Sequence, residues 1–247
     1  MPHAAPNLSL LCLGTGRGAT AVYDGEPSSA AALLADGEPI LLVDAGFGVV
    51  RACKRTFGYV PQTILITHNH SDHAAELPVI LAAESDRGRR PRVIAAWDVA
   101  ERLRTHRLHE LESTSQPLSY FCDLHEATPS EPIALTDTLF ITLLSARHSE
   151  PCFGFMLEEH GRAIFAYGGD SASDPDYYDQ LWAAPRVVID ARSKANAEHA
   201  GFDEVAAYCA DRPERELWIT GYGRADQAPG DLRALRVGDT IDLTPAD

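Results

Sequence analysis

Short apolar runs broken by turn residues alternate along this chain with stretches whose apolar positions recur at helical spacing. Leu8–Leu13 reads as a strand. Ala30–Ala35 and Ile40–Asp44 predict a hairpin around Asp36-Gly37, a dipeptide suited to a tight turn. Within Phe47–Phe57, the residues Val49, Val50, Cys53 and Phe57 fall on related faces, which predicts a helix. Gln62–Thr67 reads as a buried strand, followed by a short loop and a helix from about His73 to Glu84. Arg92–Trp97 is a further strand, after which Asp98 is positioned to cap a helix reaching about Glu112.

Ser113–Pro132 contains three prolines and several Ser and Thr residues, so it reads mostly as loop, with Tyr120–His125 as a short strand. Leu139–Ser145, Phe153–Glu158 and Ala163–Tyr167 follow as strands, the last two joined by a turn at His160-Gly161. Asp176–Ala183 and Gly201–Ala210 predict helices, and Arg186–Asp190 and Glu216–Thr220 predict strands. The tail, Leu235–Leu243, predicts a final strand pair around Gly238-Asp239. Strands and helices interleave in both halves without repeat or linker, which predicts two sheets packed together with helices outside. Residues 1–247 are expected to form a single domain.

Composition narrows the functional classes. Lys plus Arg total 21 against 36 Asp plus Glu, a net charge of −15 that repels a phosphate backbone and disfavours nucleic acid as a partner. Neither a signal segment nor a long apolar run is visible, so a cytoplasmic protein without membrane contact is expected. The five cysteines form no Cys-x-x-Cys pair, and most lie in apolar runs, as buried thiols would. The chain leaves a homodimer open.

Candidate chemistry concentrates in Thr67-His68-Asn69-His70-Ser71-Asp72-His73, immediately after an apolar strand. In a strand-to-helix turn, His68 and His70 lie two apart and can point the same way, while Asp72 and His73 open the helix and can face the same cavity. Imidazoles with a carboxylate suit zinc, iron or manganese, and the lack of cysteine argues against a purely structural zinc site.

This stretch matches the His-x-His-x-Asp-His motif of the metallo-β-lactamase superfamily, and the likeness extends over roughly residues 8 to 225. Leu41-Leu42-Val43-Asp44-Ala45-Gly46 looks like the strand and acidic turn before that motif. His148 resembles the next ligand, and Asp170 in Tyr167-Gly168-Gly169-Asp170-Ser171 resembles the metal-bridging aspartate. Leu13-Gly14-Thr15-Gly16, Ser28-Ser29 and Glu198-His199 are similar to the ribonuclease Z-like branch. The resemblance implies an α/β fold, an αββα sandwich of two mixed β-sheets with helices outside and a metal site along one edge. It further implies that His68, His70 and His148 hold one ion, that Asp72 and His73 hold a second, and that Asp170 bridges them. Zinc, as one or two ions, is the metal expected, with manganese and iron as alternatives. Asp72 and His199 are the catalytic candidates: Asp72 to orient a metal-bound hydroxide, His199 to assist proton transfer, although a plain loop role stays open for His199. Asp44 is expected to steady a ligand, or else simply to form the turn.

One departure stands out. The superfamily usually supplies a last histidine after a strand near the C-terminus, whereas here Glu216–Thr220 runs into Gly221-Tyr222-Gly223-Arg224. The second ion loses a nitrogen ligand, which water, Tyr222, Asp226 or His199 would have to replace, so a complete first site and a weak or empty second site are expected. Tyr222 and Arg224 occupy the vacated place and are expected to bind substrate. Gly14, Gly16 and Gly18 predict a turn at the strand end, or a loop approaching substrate. Arg87, Arg89, Arg90 and Arg92 read as a solvated loop, and His106, His109 and His125 as surface or packing residues.

The expected function is a metal-dependent hydrolase acting on a small ester-type molecule, a phosphodiester first. A lactone or thioester hydrolase, a non-catalytic binding protein with a degenerate metal site and an iron redox protein are the alternatives. Specificity would come from the loops Arg17–Pro27 and Ser113–Pro132.

Overall fold

A computed structural model describes residues 6–18, 23–210 and 212–244 of the protein, which leaves part of the Arg17–Pro27 loop outside the described residues. Two mixed β-sheets form its centre. The first runs β13 (Thr240–Asp242), β1 (Leu8–Gly14), β2 (Ala30–Ala35), β3 (Glu38–Val43), β4 (Thr63–Leu65), β5 (Arg92–Ala96), β6 (Asp123–Ala127). The second runs β12 (Glu216–Thr220), β11 (Arg186–Asp190), β10 (Arg162–Tyr167), β9 (Cys152–Glu159), β8 (Leu139–Ala146), β7 (Pro132–Ala134). Pairing is antiparallel from β13 to β3 and parallel from β3 to β6. In the second sheet, β12, β11 and β10 are parallel, and β10 through β7 are antiparallel.

These directions decide where chemistry can gather. β1, β3 and β4 point the same way in one sheet, as do β8, β10, β11 and β12 in the other. The loops that leave their carboxyl ends collect at a shared edge, where open sheets of this kind commonly bind ligands. Hydrogen bonds lace the sheets together there, among them Phe153 N–H to the Thr67 carbonyl (3.0 Å) and one between the hydroxyls of Ser29 and Thr220 (3.2 Å).

Parallel neighbours require crossovers, which the helices supply. The crossovers are α1 (Val49–Thr56), then α2 (Ser71–Ala74) with α3 (Leu77–Ser85), and then the segment from α4 (Trp97–Leu103) to α6 (Leu118–Phe121). In the second sheet they are α7 (Pro175–Leu181) and α8 (Phe202–Ala210). The inner faces of the sheets share one core, in which Leu33, Leu41, Ile64, Val93, Ile141, Phe155 and Phe165 are fully buried. Along β8 the buried Leu139, Ile141 and Leu143 alternate with half-buried neighbours, the period-two pattern of a strand covered on one face. A second core under α7 and α8 centres on Tyr178, Leu181, Val187 and Val205.

Several local expectations change. The helix expected from His73 to Glu84 is two helices, because the Pro78 ring cannot follow the carbonyl of Ala74 in a continuous helix. The break lets the Glu76 carboxylate turn back and accept the N–H groups of Gly48 (2.8 Å) and Val50 (2.7 Å), satisfying the N-terminus of α1. Asp98 does not cap its helix: that position belongs to Ala96, and Asp98 lies inside the first turn. The same helix is interrupted by a π-turn at Arg104–Leu108 before α5 (His109–Glu112). In the middle stretch Tyr120 belongs to α6, the strand starts only at Asp123, and β7 was not anticipated. The tail is not a hairpin either. Ala234 bridges Ile219 on the edge of the second sheet, while β13 pairs with β1 of the first. The turns at Asp36-Gly37 and His160-Gly161 form as expected, with positive φ at both positions of each. All five cysteines are free thiols, four of them buried.

Candidate metal centre

The motif segment starts where β4 ends and α2 begins. His70 is the extended residue at the N-terminus of α2, so His68 and His70 leave the strand end together, while His73, one turn on, faces inward. Asp44 follows β3 in the left-handed region (φ 64°), a conformation aspartate tolerates, and this aims its carboxylate across the segment. Its Oδ1 accepts from Thr67 N–H (2.8 Å), and its Oδ2 lies 2.7 Å from His73 Nδ1. Gly46 leaves room for the loop, because a Cβ there would sit 1.9 Å from the Asp72 carbonyl oxygen.

Three imidazoles converge from two sheets. His68 Nε2 and His148 Nε2 each lie 3.1 Å from His70 Nδ1. Two nitrogens on a tetrahedral zinc, at ~2.0–2.1 Å each, stand about 3.3 Å apart, so this spacing suits one ion. The tautomers agree. His148 Nδ1 donates to the Glu198 carbonyl (3.1 Å), which leaves the lone pair on Nε2 facing the other imidazoles. His68 Nδ1 donates to the Thr67 hydroxyl (3.0 Å), whose own proton goes to Asp44, with the same result. Burial holds His68 well below the usual imidazole range and lowers His148, so both favour the neutral form a metal requires. His68 is fully buried, whereas the His70 side chain is 40% exposed and opens the centre to solvent.

A second group of donors adjoins the first. His68, His73 and Asp170 offer ligand atoms within 4.8 Å of one another, as do His148, Asp170 and His199. Asp170 Oδ2 lies 3.4 Å from His73 Nε2, and Asp72 Oδ2 lies 3.7 Å from it. Burial alone would lower His73 and raise Asp170, but the facing carboxylates lift His73 well above its usual range, and His73 with Arg192 holds Asp170 well below its own. Asp72 Oδ2 accepts the Gly18 N–H at 2.6 Å, which brings the glycine-rich loop after β1 to the centre. His199 Nδ1 is bound by Asp190 Oδ2 (2.6 Å), and its ring centroid is 5.1 Å from that of His148. The cluster suits a divalent metal.

A family model described as the anti-Pycsar protein Apyc1 matches residues 8–232. The chain belongs to the Apyc1 family. A ribonuclease Z from Lactiplantibacillus plantarum is 30% identical to this Apyc1-family chain over 95% of its length and 74% of the relative's. The short form of human tRNase Z superposes with a TM-score of 0.71 at 20% identity, covering 96% of this chain and all (100%) of that one. A diphosphatase of the PhnP family does so with a TM-score of 0.74 at 16% identity, over 96% and 98% of the two chains. The fold is that of the metallo-β-lactamase superfamily, and the 30% identical ribonuclease Z places the chain on the ribonuclease Z-like branch.

Two expected substrate-binding residues fare differently in this Apyc1-family structure. Tyr222 does not line the centre: it is 1% exposed, and its hydroxyl donates to the Leu235 carbonyl. The chain segment returning beside β12 supplies that acceptor and draws the ring into the second core. Arg224 is at the surface, in ion pairs with Asp24 (3.2 Å) and Asp226 (3.3 Å), so Asp226 is not turned toward the second donor group either. Arg87, Arg89, Arg90 and Arg92 each bond a separate acceptor and do not converge on a common pocket.

Four residues at the centre lay outside the sequence reading. Glu150 places Oε1 3.9 Å from His70 Nε2, the outward nitrogen of that ring. Asp190 and Arg192 lie two apart at the end of β11 and so face one side, a signal legible in Asp190-Ala191-Arg192. Arg107 projects from the π-turn, a feature common near functional sites. Its Nη2 donates to the Asn69 carbonyl and to Ser71 Oγ (2.9 Å each), and its Nε to Asn69 Oδ1 (3.3 Å). Arg107 therefore clamps the turn that carries His70. Arg107→Met, which keeps the apolar stem, is expected to weaken metal affinity about 10-fold, the lower end of what losing an outer partner of a ligand costs. Competition against a chelator dye measures it, and unchanged affinity would show that the turn holds its shape without the clamp.

Proposed function

We propose that this protein is a metal-dependent hydrolase of small phosphodiesters. The observation that carries the reading is the convergence of His68 Nε2, His70 Nδ1 and His148 Nε2, with the remote nitrogens of His68 and His148 fixed by hydrogen bonds. A bound divalent ion, with zinc favoured over manganese or iron, supplies Lewis acidity and a water of lowered pKa.

The remaining groups divide the work of substrate and proton handling. Asp72, steered by the Gly18 N–H, is the carboxylate assigned to orient the attacking water and receive its proton. His199, held at Nδ1 by Asp190, keeps Nε2 for passing a proton to the departing oxygen. Burial works against protonation of His199, while Asp190 raises the imidazole above its usual value and favours the protonated form. Support for phosphorus as the electrophile comes from the 30% identical ribonuclease Z and the structurally similar diphosphatase, both named for cleavage at phosphate. The net charge of −15 disfavours a long polyanion and favours a small substrate.

Hydrolysis of bis(p-nitrophenyl) phosphate by protein loaded with zinc or manganese tests the reading. Turnover that a chelator removes and metal restores is expected. A metal-loaded protein inert toward phosphodiesters but active on a lactone or thioester panel would replace phosphorus with carbonyl carbon as the electrophile.

A further inference from the structure

The absence of a histidine after β12 is not a simple loss, because other residues fill its place. Gly221 has φ 68°, and a Cβ there would sit 2.3 Å from Asp190 Oδ1. A ligand side chain from this position is therefore excluded by Asp190. The same Asp190 oxygen accepts from Arg192 Nε (3.0 Å), and Arg192 Nη2 reaches Asp170 Oδ2 (3.2 Å) and lies 3.1 Å from His199 Nδ1. The Arg192 side chain is only 9% exposed. Its backbone is pinned on both sides, the N–H donating to the Ala200 carbonyl and the carbonyl accepting from Phe202 N–H. The guanidinium is thus anchored at its backbone and at its contacts with Asp190 and Asp170.

That cation stands on the oxygen a second ion would need. Asp170 Oδ2 is the atom facing His73 Nε2 at 3.4 Å, and Arg192 Nη2 touches the same atom. An ion bound to this oxygen at ~2.0–2.2 Å would stand within about 5 Å of a guanidinium that does not deprotonate. Both lie in a buried region where like charges are poorly screened. Asp170 and Asp190 already share the compensating charge of Arg192.

We propose that the Arg192 guanidinium stands in for a second metal ion, so that the centre binds one divalent ion per chain, on His68, His70 and His148. Arg192 is then the fixed cation beside Asp170, and a histidine after β12 and the Asp190–Arg192 pair are mutually exclusive solutions to one problem of charge. This inference rests on the metal-dependent reading above.

The test is a count of bound metal, not of turnover. Apoprotein is saturated with Mn(II), desalted and measured by elemental analysis and electron paramagnetic resonance. The wild type is expected to keep about one ion per chain, with the six-line spectrum of an isolated Mn(II). Arg192→Gln, which removes the charge, is expected to take up a second ion and show a spin-coupled pair, whereas Arg192→Lys stays at one. Two ions in the wild type, or a single ion in both wild type and Arg192→Gln, would overturn the substitution while leaving a metal hydrolase standing. No ion in the wild type would remove the metal-dependent reading itself. If Arg192→Gln does not fold, Arg192→Ala and the wild-type count carry the test.

Discussion

His148→Ala is expected to abolish bound metal and phosphodiester turnover together while leaving the chain folded. His148 is half-buried just past β8, and its hydrogen bond outside the histidine cluster runs from Nδ1 to the Glu198 carbonyl. Losing that bond costs roughly 1 kcal/mol of stability, a small part of what a domain of this size holds. The loss at the centre is of another order. Among the described residues, only His148 brings a third imidazole nitrogen from the second sheet to the pair of His68 and His70, and two nitrogens alone hold zinc poorly. The fall in affinity should exceed the roughly 10–100-fold that follows loss of an outer partner. Metal analysis after desalting, beside thermal unfolding, separates the two effects. His109→Ala, at an exposed position, is the control and should change neither. Metal retained at wild-type level in His148→Ala would break the three-histidine assignment.

The second large effect is expected at Asp44, which is fully buried and touches no solvent. Its two oxygens meet four donor contacts: Thr67 N–H (2.8 Å), the Thr67 hydroxyl at both oxygens (3.0 and 2.9 Å) and His73 Nδ1 (2.7 Å). Asp44→Asn keeps the shape and tolerates the positive φ, so the backbone is not the variable. The amide nitrogen, however, must then face either Thr67 N–H or His73 Nδ1–H, donor against donor. If it faces Thr67, a buried N–H is left unmatched at a cost of roughly 1–3 kcal/mol. If it faces His73, that ring loses its Nδ1 acceptor and keeps its proton on Nε2, toward Asp170. Because Asp44 also accepts the proton of the Thr67 hydroxyl that His68 Nδ1 donates to, either route disturbs an outer partner of His68 and should cost about 10–100-fold in metal affinity. A chelator titration paired with a melting curve reads both terms, and an Asn variant with wild-type affinity would show that the Asp44 charge is immaterial to the centre.

The sequence by itself determined the fold class and the half of the centre that is local in the chain. Strand periods, turn dipeptides and the spacing from His68 to His73 depend on neighbours within a few residues, so they survive without knowledge of the third dimension. The two mixed sheets follow from these runs and their interleaving. His148 and Asp170 were legible only through resemblance to a family, because nothing within their own segments says which cavity they face.

Tertiary structure decided the rest, for a common reason. Arg107 reaches the motif from 36 to 38 residues away, and Arg192 reaches Asp170 from 22 away, so neither contact leaves a local pattern. Tyr222 looked like a substrate residue because it follows a strand at the expected edge. The returning chain at Leu235 supplied an acceptor for its hydroxyl, and a buried polar group goes where its hydrogen bond is met. Gly221 reads in sequence as a missing ligand. In space it is the room that Asp190 occupies in order to hold Arg192, a relation between two segments that the packing of β11 against β12 creates.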